Sequence, residues 1–398
     1  PNPRASAQAL TFCKKADTFA QSEMSTRSRL TPEERERYSR HLALPGFSEY
    51  TQLRLKQARV LVVGCGGLGN PVIAYLAAAG VGHIGLADGD VVETSNLQRQ
   101  ILFTMEECGQ SKASVAAQKV NALNPLVQTT VYPFRITADN ALEIAKDYDV
   151  IADCTDRIPT RYLLSDTAVL ADKVLVHAGV FRSEGQLAVF HGKMNDGLRS
   201  ANYRDIFPEP PPRDAVMSCA EGGVLGALTG ILGTMQAMEI IKVITGYGEP
   251  LYDQLLVLDA FTMESRVMRF SRRPDNPLTG KKPTQHTLID YDQFCGIKKE
   301  QLMREITAGE LKAMQEKGES FVLIDVREPY EYAAKNLGGE LIPLGEIPES
   351  VHRIPKEGTV ILMCRAGVRS AHAIDYLSHT HGYTNLINLR GGILAWTE

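Results

Sequence analysis

The 398-residue chain contains no Cys-x-x-Cys pair, so the commonest sequence sign of a structural zinc site is missing. Its seven cysteines are odd in number and scattered, which argues against a disulfide framework and suits a reducing compartment; a cytoplasmic location is expected. Neither sign of charge dominates. The net charge of -4 gives no basic field for nucleic acid. Long apolar runs are also scarce. One charge-free apolar run, Gly222 to Met238, is shorter than the ~20 residues of a spanning helix and is broken by glycine, threonine and glutamine. It reads as a buried helix with a glycine-rich approach, and no membrane partner is expected. Residues 1–28 show neither periodicity nor the apolar core of a secretory signal, which predicts disorder.

What is present is an ordinary globular composition, 44% apolar and 23% charged, in a chain long enough for two or three domains. TPEERERYSRHLAL opens with Thr31, Pro32 and Glu34, the pattern of a capping box at a helix start. ARVLVVGCGGLGNPVIAYLAAAGVGHIGLAD then spells strand, glycine turn, helix and strand. Strand-like runs recur at DVIADCTD, KVLVHAGV and GQLAVFHG, separated by helical stretches, which predicts a mainly parallel sheet. SRRPDNPLTGKKPTQ has no apolar pattern and reads as the start of a linker over 271–302. Beyond it, FVLIDVRE, TVILMCRAGVRSAHAIDYL and NLINLRGGILAW give a second α/β domain over 303–398, behind a first over 29–270.

Gly64-Cys65-Gly66-Gly67-Leu68-Gly69 fits a phosphate-binding glycine loop, with Asp88 about 20 residues farther on to hold a ribose. A nicotinamide dehydrogenase fits that fingerprint by itself. SNLQRQ and Lys112 fit it less well, because fixed cations beside a nucleotide suit charge stabilisation during phosphate chemistry.

The segments RYSRHL, VLVVGCGGLG, ADGDVVETSNLQRQ, GQSKA, DCTD, EGQLAVF and CAEGGVLG together resemble the MoeB/ThiF family of ubiquitin-activating-like adenylyltransferases. The resemblance implies a Rossmann-like α/β domain that uses ATP and Mg2+ to adenylate the C-terminal glycine of a ubiquitin-like sulfur carrier of MoaD/ThiS type. It assigns Gly67, Asp88, Ser95, Asn96, Leu97, Gln98, Arg99 and Lys112 to ATP. Asp156 in DCTD would hold magnesium, with Arg157 beside it where family members often have Asn. Arg40 would reach the site of a neighbouring subunit, implying a homodimer. Cys219 falls where the family has a cysteine in thioester or disulfide linkage to the carrier; a structural cysteine is the alternative. Many relatives hold zinc through two Cys-x-x-Cys pairs, but the corresponding stretches here are SANYRDIFP and SRRPDNPLTG. Zinc is therefore not expected, and other contacts must join them.

Cys364 to Arg369 in CRAGVRS is C-x4-R, one residue shorter than a phosphatase loop, and a smaller ring suits a persulfide sulfur. A strand feeding such a loop into a helix is expected to expose its first residue, Cys364. LIDVREPYEY, CRAGVRS and LRGGILAW resemble a single rhodanese domain. That resemblance makes Cys364 the persulfide carrier, cradled by Arg365, Ala366, Gly367, Val368 and Arg369, with Asp325 and Arg327 in support. KNLGGELIPL lacks the Gly-His-Ile that relatives usually carry. The two domains together are similar to MoeZ/Uba4-type proteins, implying thiolation of the carrier with sulfur from a donor such as a cysteine desulfurase or thiosulfate. A non-catalytic scaffold for a ubiquitin-like protein is the other reading.

Overall fold

A computed structural model describes residues 29–194, 196–211, 223–296 and 304–396. Cys219 and residues 1–28 lie outside the described residues. The chain divides into two compact units after Gly296.

The first unit begins with helix α1 (Pro32–Arg37), where the Thr31 hydroxyl accepts from the Glu34 N–H at 3.1 Å and Glu34 returns the bond to the Thr31 N–H at 2.7 Å. Strand β1 (Arg59–Val63), helix α2 (Gly69–Ala79) and strand β2 (His83–Ala87) form the expected β-α-β unit. Helix α3 (Lys112–Leu123), β3 (Gln128–Tyr132), β4 (Val150–Asp153), helix α4 (Ile158–Leu170), β5 (Val174–Phe181), β6 (Glu184–Phe190), helix α5 (Gly226–Thr245), β7 (Gln254–Asp259) and β8 (Ser265–Arg269) follow. They build an eight-stranded sheet in the order β3-β2-β1-β4-β5-β6-β7-β8. The pairs from β3 to β5 are parallel and those from β5 to β8 antiparallel. The change of direction follows from connection length, since the few residues between β5 and β6 can make a hairpin but not a crossover.

Both faces of the sheet are covered. Val60 and Val62 enter one core, while their alternates Leu61 and Val63 enter the other. Helix α5 takes in the apolar run noted above from Gly226 onward and buries Leu228, Leu232 and Ile240.

The stretch expected to be a linker over 271–302 is not one as far as Gly296. Leu278 and Tyr291 are buried, and the Tyr291 hydroxyl donates to Asp166 at 2.8 Å. Asp166 also receives both arms of Arg204, at 2.8 Å each, from the SANYRDIFP stretch. Its first half is held mostly by polar groups, and the apolar contacts of Leu288, Ile289, Tyr291 and Phe294 are confined to its end, so it carries no sustained apolar period to read. Its closest stitching joins the two stretches that lack zinc cysteines. The Asn276 amide donates to Asn202 at 3.0 Å and Asp205 at 2.7 Å, Asn202 donates to Thr279 at 2.9 Å, and Asp205 accepts the Arg273 N–H at 2.8 Å. A short helix, α6 (Tyr291–Phe294), ends the unit.

The second unit is a five-stranded parallel sheet of β9 (Arg304–Ile306), β10 (Val322–Asp325), β11 (Glu340–Leu341), β12 (Val360–Met363) and β13 (Leu386–Leu389), ordered β11-β10-β12-β13-β9. Helix α7 (Pro329–Ala334) follows β10, and helix α8 (Val368–His381) follows β12 across the CRAGVRS loop. In KNLGGELIPL, Glu340 pairs with Arg353 at 2.7 Å.

Candidate active site

At the C-terminal ends of the parallel strands the first unit opens a cleft of about 720 Å³, the size range of small-molecule sites. The glycine loop forms one wall. A Cβ on Gly69 would lie 2.0 Å from the Gly64 carbonyl oxygen, and Gly64 itself has φ +93°, so loop and helix close only with glycine at both places. Asp88, at the end of β2, accepts the Cys65 and Asp90 N–H groups at 2.8 Å each. Burial pushes its carboxyl pKa up, and those two bonds with Lys112 offset only part of the rise.

Lys112 occupies the first turn of α3, where the helix dipole disfavours a cation. It is only 7% exposed, and its ion pair with Asp90 is long at 3.4 Å. A buried cation so placed is poorly explained by stability and well explained by an anionic ligand. Arg99 faces the same cleft and donates to the Ser95 carbonyl at 3.2 Å.

Opposite the glycine loop stands DCTD. Asp153 is fully buried and accepts from the Thr155 N–H and hydroxyl at 3.0 and 2.7 Å and from His177 at 2.7 Å. These bonds fix the loop whose last residue, Asp156, lines the cleft, exposed and without an ion-pair or hydrogen-bond partner among the described residues. A free carboxylate facing a cationic cleft fits a magnesium ion carried with a nucleotide. Arg157 caps α4 beside it and pairs with Asp292 of α6 at 3.2 Å.

The cleft thus brings together Gly67, Asp88, Asn96, Arg99, Lys112, Asp156 and Arg157. Ser95, Leu97, Gln98 and Arg40 are not in its lining. Leu97 packs on the core, Ser95 donates to Glu93 at 3.2 Å, and Gln98 is exposed with its carbonyl against Gly226. Arg40 is also exposed. Sequence reasoning missed Gln100, Arg135, Arg161 and Thr229, which also line the cleft. Gln100 stood in the quoted SNLQRQ, whereas the others carry no local signal.

In the second unit Cys364 directly follows β12 and is 1% exposed, so the expected exposure of the loop's first residue is not observed. The loop closes over the sulfur: the Gly367 N–H lies 3.1 Å and the Ser370 hydroxyl 3.4 Å from Sγ. Gly367, with φ +89°, makes the turn into α8. Burial pushes the thiol pKa up, but the Ser370 hydroxyl and the N–H groups of Ser370, Ala366 and Gly367 outweigh it and leave the pKa below its ordinary value. Burial is not offset at Cys65, Cys154 and Cys295, whose thiols are held above their ordinary value.

LRGGILAW braces the back of the loop. The Ile393 N–H donates to the Cys364 carbonyl at 2.8 Å and the Leu394 N–H to that of Arg365 at 3.1 Å, and a Cβ on Gly392 would strike the Cys364 carbonyl at 2.3 Å. Arg369, expected in the cradle, instead gives two hydrogen bonds to Glu331, of 2.7 and 2.8 Å. Asp325 and Arg327 form a buried pair at 2.6 Å, and Arg327 also donates to the Glu331 and Lys335 carbonyls, fixing α7 beside the loop.

Residues 38–279 match the ThiF family, and residues 307–398 match the rhodanese-like domain. The chain is 44% identical over 379 residues to a probable adenylyltransferase/sulfurtransferase, MoeZ, of Mycobacterium tuberculosis, covering 93% of this chain and 95% of the relative. It is 48% identical to a sulfur carrier protein adenylyltransferase of Thermus thermophilus, covering 68% of this chain and all of that protein. It is also 40% identical to the mouse adenylyltransferase and sulfurtransferase MOCS3, covering 94% and 87% of the two chains. Among solved structures, E. coli MccB shares the fold of the first unit, with a TM-score of 0.55 at 21% identity over 65% of this chain and 76% of that one.

Proposed function

The chain belongs to the ThiF family and carries a rhodanese-like domain behind it, and on that premise we propose that it adenylates a ubiquitin-like sulfur carrier and then thiolates it. The observation that carries the first step is the meeting, across one cleft, of Asp156, which has no partner among the described residues, with a buried Lys112 and Arg99. A carboxylate attacking the α-phosphate of ATP meets like charge. Lys112 and Arg99 offset that repulsion and stabilise departing pyrophosphate, while Asp88 holds the ribose hydroxyls and the glycine loop approaches the phosphates. Asp156 would hold magnesium, which supplies further charge neutralisation.

The carrier's terminal carboxylate becomes an acyl-adenylate. For the carrier's own fold, β8 offers an exposed edge strand carrying Val267 and Met268, with Phe261 and Met263 exposed at the preceding turn. Arg40, exposed near the start of the unit, is available to the cleft of a second copy in a homodimer.

The second step belongs to Cys364. Its persulfide attacks the activated carbonyl and AMP leaves with the electron pair, giving an acyl disulfide. Attack of a further thiol, Cys219 or an external one, on the Cys364 sulfur breaks the S–S bond and releases the thiocarboxylate. Hydrogen bonds that stabilise the Cys364 thiolate support this assignment. Carrier-dependent ATP–pyrophosphate exchange tests the scheme: Asp156→Ala is expected to lose it and Cys364→Ala to keep it. Exchange that survives Asp156→Ala would remove the metal role of that residue.

A further inference from the structure

The loop that cradles Cys364 contains two arginines, yet little of their charge is directed at the sulfur. Gly367 and Ser370, which contact it, are neutral donors. Arg369 is near enough for its charge to interact with Cys364, but both arms of its guanidinium are held by Glu331 at 2.7 and 2.8 Å. That pair is partly shielded, with side-chain exposures of 32% for Arg369 and 15% for Glu331. Arg369 first of all pulls the Glu331 carboxyl pKa down to about 2, so the acid is ionised throughout the working pH range. Arg327 donates to the Glu331 main-chain carbonyl and anchors that turn of α7, while the Glu328 N–H donates to the Glu331 carboxylate at 3.1 Å. Arg365, the second loop cation, is exposed, where water and salt weaken its pull. Tyr330, Val368 and Leu394 are the large apolar side chains that the second unit exposes among its described residues.

The charge carried by the sulfur donor therefore matters. When the Cys364 thiolate attacks the sulfane sulfur of thiosulfate, the S–S bond breaks and sulfite leaves with the electron pair, so three negative charges gather at the loop. When it attacks the outer sulfur of an organic persulfide, an organic thiolate leaves and at most two charges gather. Both exchanges balance without an external oxidant or reductant. Neutral N–H and O–H donors suffice for one anionic sulfur, whereas a dianionic donor calls for an unspent cation.

We propose that Glu331 is a specificity-determining residue: by occupying Arg369 it biases the Cys364 site against oxyanion sulfur donors and towards persulfide donors. The proposal rests on Cys364 being the persulfide carrier. Glu331 acts through Arg369 and is a positioning residue, so the test compares donors and does not rely on overall activity.

The full chain is assayed with thiosulfate or cysteine persulfide as donor and cyanide as the common acceptor. Glu331→Gln is expected to raise kcat/KM for thiosulfate about tenfold, mainly through KM and most strongly at low salt, while the cysteine persulfide value stays within about twofold. Glu331→Asp should restore the original preference, and Glu331→Gln combined with Arg369→Gln should abolish the gain. Glu331→Ala provides the same comparison if the glutamine variant does not fold. A thiosulfate value that is unchanged or lower in the folded variant, or a parallel rise for both donors, overturns the proposal. If wild-type Cys364 takes sulfur from neither donor, the persulfide assignment itself fails.

Discussion

Asp153 and His177 share a 2.7 Å hydrogen bond that is wholly buried at the root of the loop carrying Asp156. Burial raises the Asp153 carboxyl pKa, but the bonds from His177 and Thr155 and the charge of Arg161 outweigh it, so the acid is ionised. Burial lowers the His177 pKa more than Asp153 restores it, so the ring is neutral and its Nδ1–H is the donor. Burial likewise pushes His191 down to about 4. Both histidines bind fewer protons when folded than when unfolded. Their stabilisation is therefore complete above the unfolded histidine pKa of about 6.5 and lost as pH falls through the folded values. The thermal midpoint should drop between about pH 7 and pH 4, and His191→Gln should flatten the slope. A midpoint that rises on acidification would contradict this assignment.

Ser370 has one hydroxyl proton and three acceptors in reach: Cys364 Sγ, the Gly367 carbonyl and Asn388 Oδ1. Ser370→Ala removes a donor that lowers the Cys364 pKa. The pH midpoint for alkylation of Cys364 by iodoacetamide should move upward, and sulfur transfer at neutral pH should slow. An unchanged midpoint would place the stabilisation in the backbone donors alone.

The Arg157–Asp292 pair joins the nucleotide cleft to α6, beyond the 38–279 span of the family match. Both side chains are close to half exposed, so the pair should contribute no more than ~1 kcal/mol to stability. Asp292→Asn is expected to raise the KM for ATP about two- to fivefold with little change in kcat, the scale of a lost exposed charge contact. The effect should vanish in an Arg157→Asn background. Additive effects of the two changes would show that the pair does not orient Arg157.

Between the stretches SANYRDIFP and SRRPDNPLTG, Asn276 donates to Asn202 and Asp205 in a buried cluster. Asn276→Ala removes one of the donors to each of those oxygens and takes away the acceptor of the Leu278 and Thr279 N–H groups, and should cost about 1–3 kcal/mol, read as a lower midpoint in urea unfolding. Treatment with a strong chelator should leave the wild-type midpoint where it was. A chelator-induced fall would reveal a structural metal.

The parts of this architecture that were legible in the sequence are those written in contiguous residues. The glycine loop, Asp88, DCTD and CRAGVRS each occupy one strand end and the turn after it, where periodicity and glycine placement can be read directly. Arg135, Arg161 and Thr229 were not legible, because they reach the cleft from separate elements without a spacing rule. The 271–296 segment looks like a linker in sequence because polar stitching through Asn276 holds its first half and its few apolar contacts, around Tyr291, are confined to its end. A strand–loop–helix position by itself implies an exposed Cys364, but the loop folds around the sulfur and buries it. The Glu331–Arg369 pair spans two helices, and either partner alone looks like an ordinary surface charge.

The most direct test of the account is intact-mass analysis of a ubiquitin-fold carrier ending in Gly-Gly after incubation with the enzyme, ATP, magnesium, a persulfide donor and a thiol reductant. The wild type should exchange one carboxylate oxygen of the carrier for sulfur, and Cys364→Ala should leave the carrier unthiolated while still supporting ATP–pyrophosphate exchange. Full thiocarboxylate formation by Cys364→Ala under the same conditions would contradict the account.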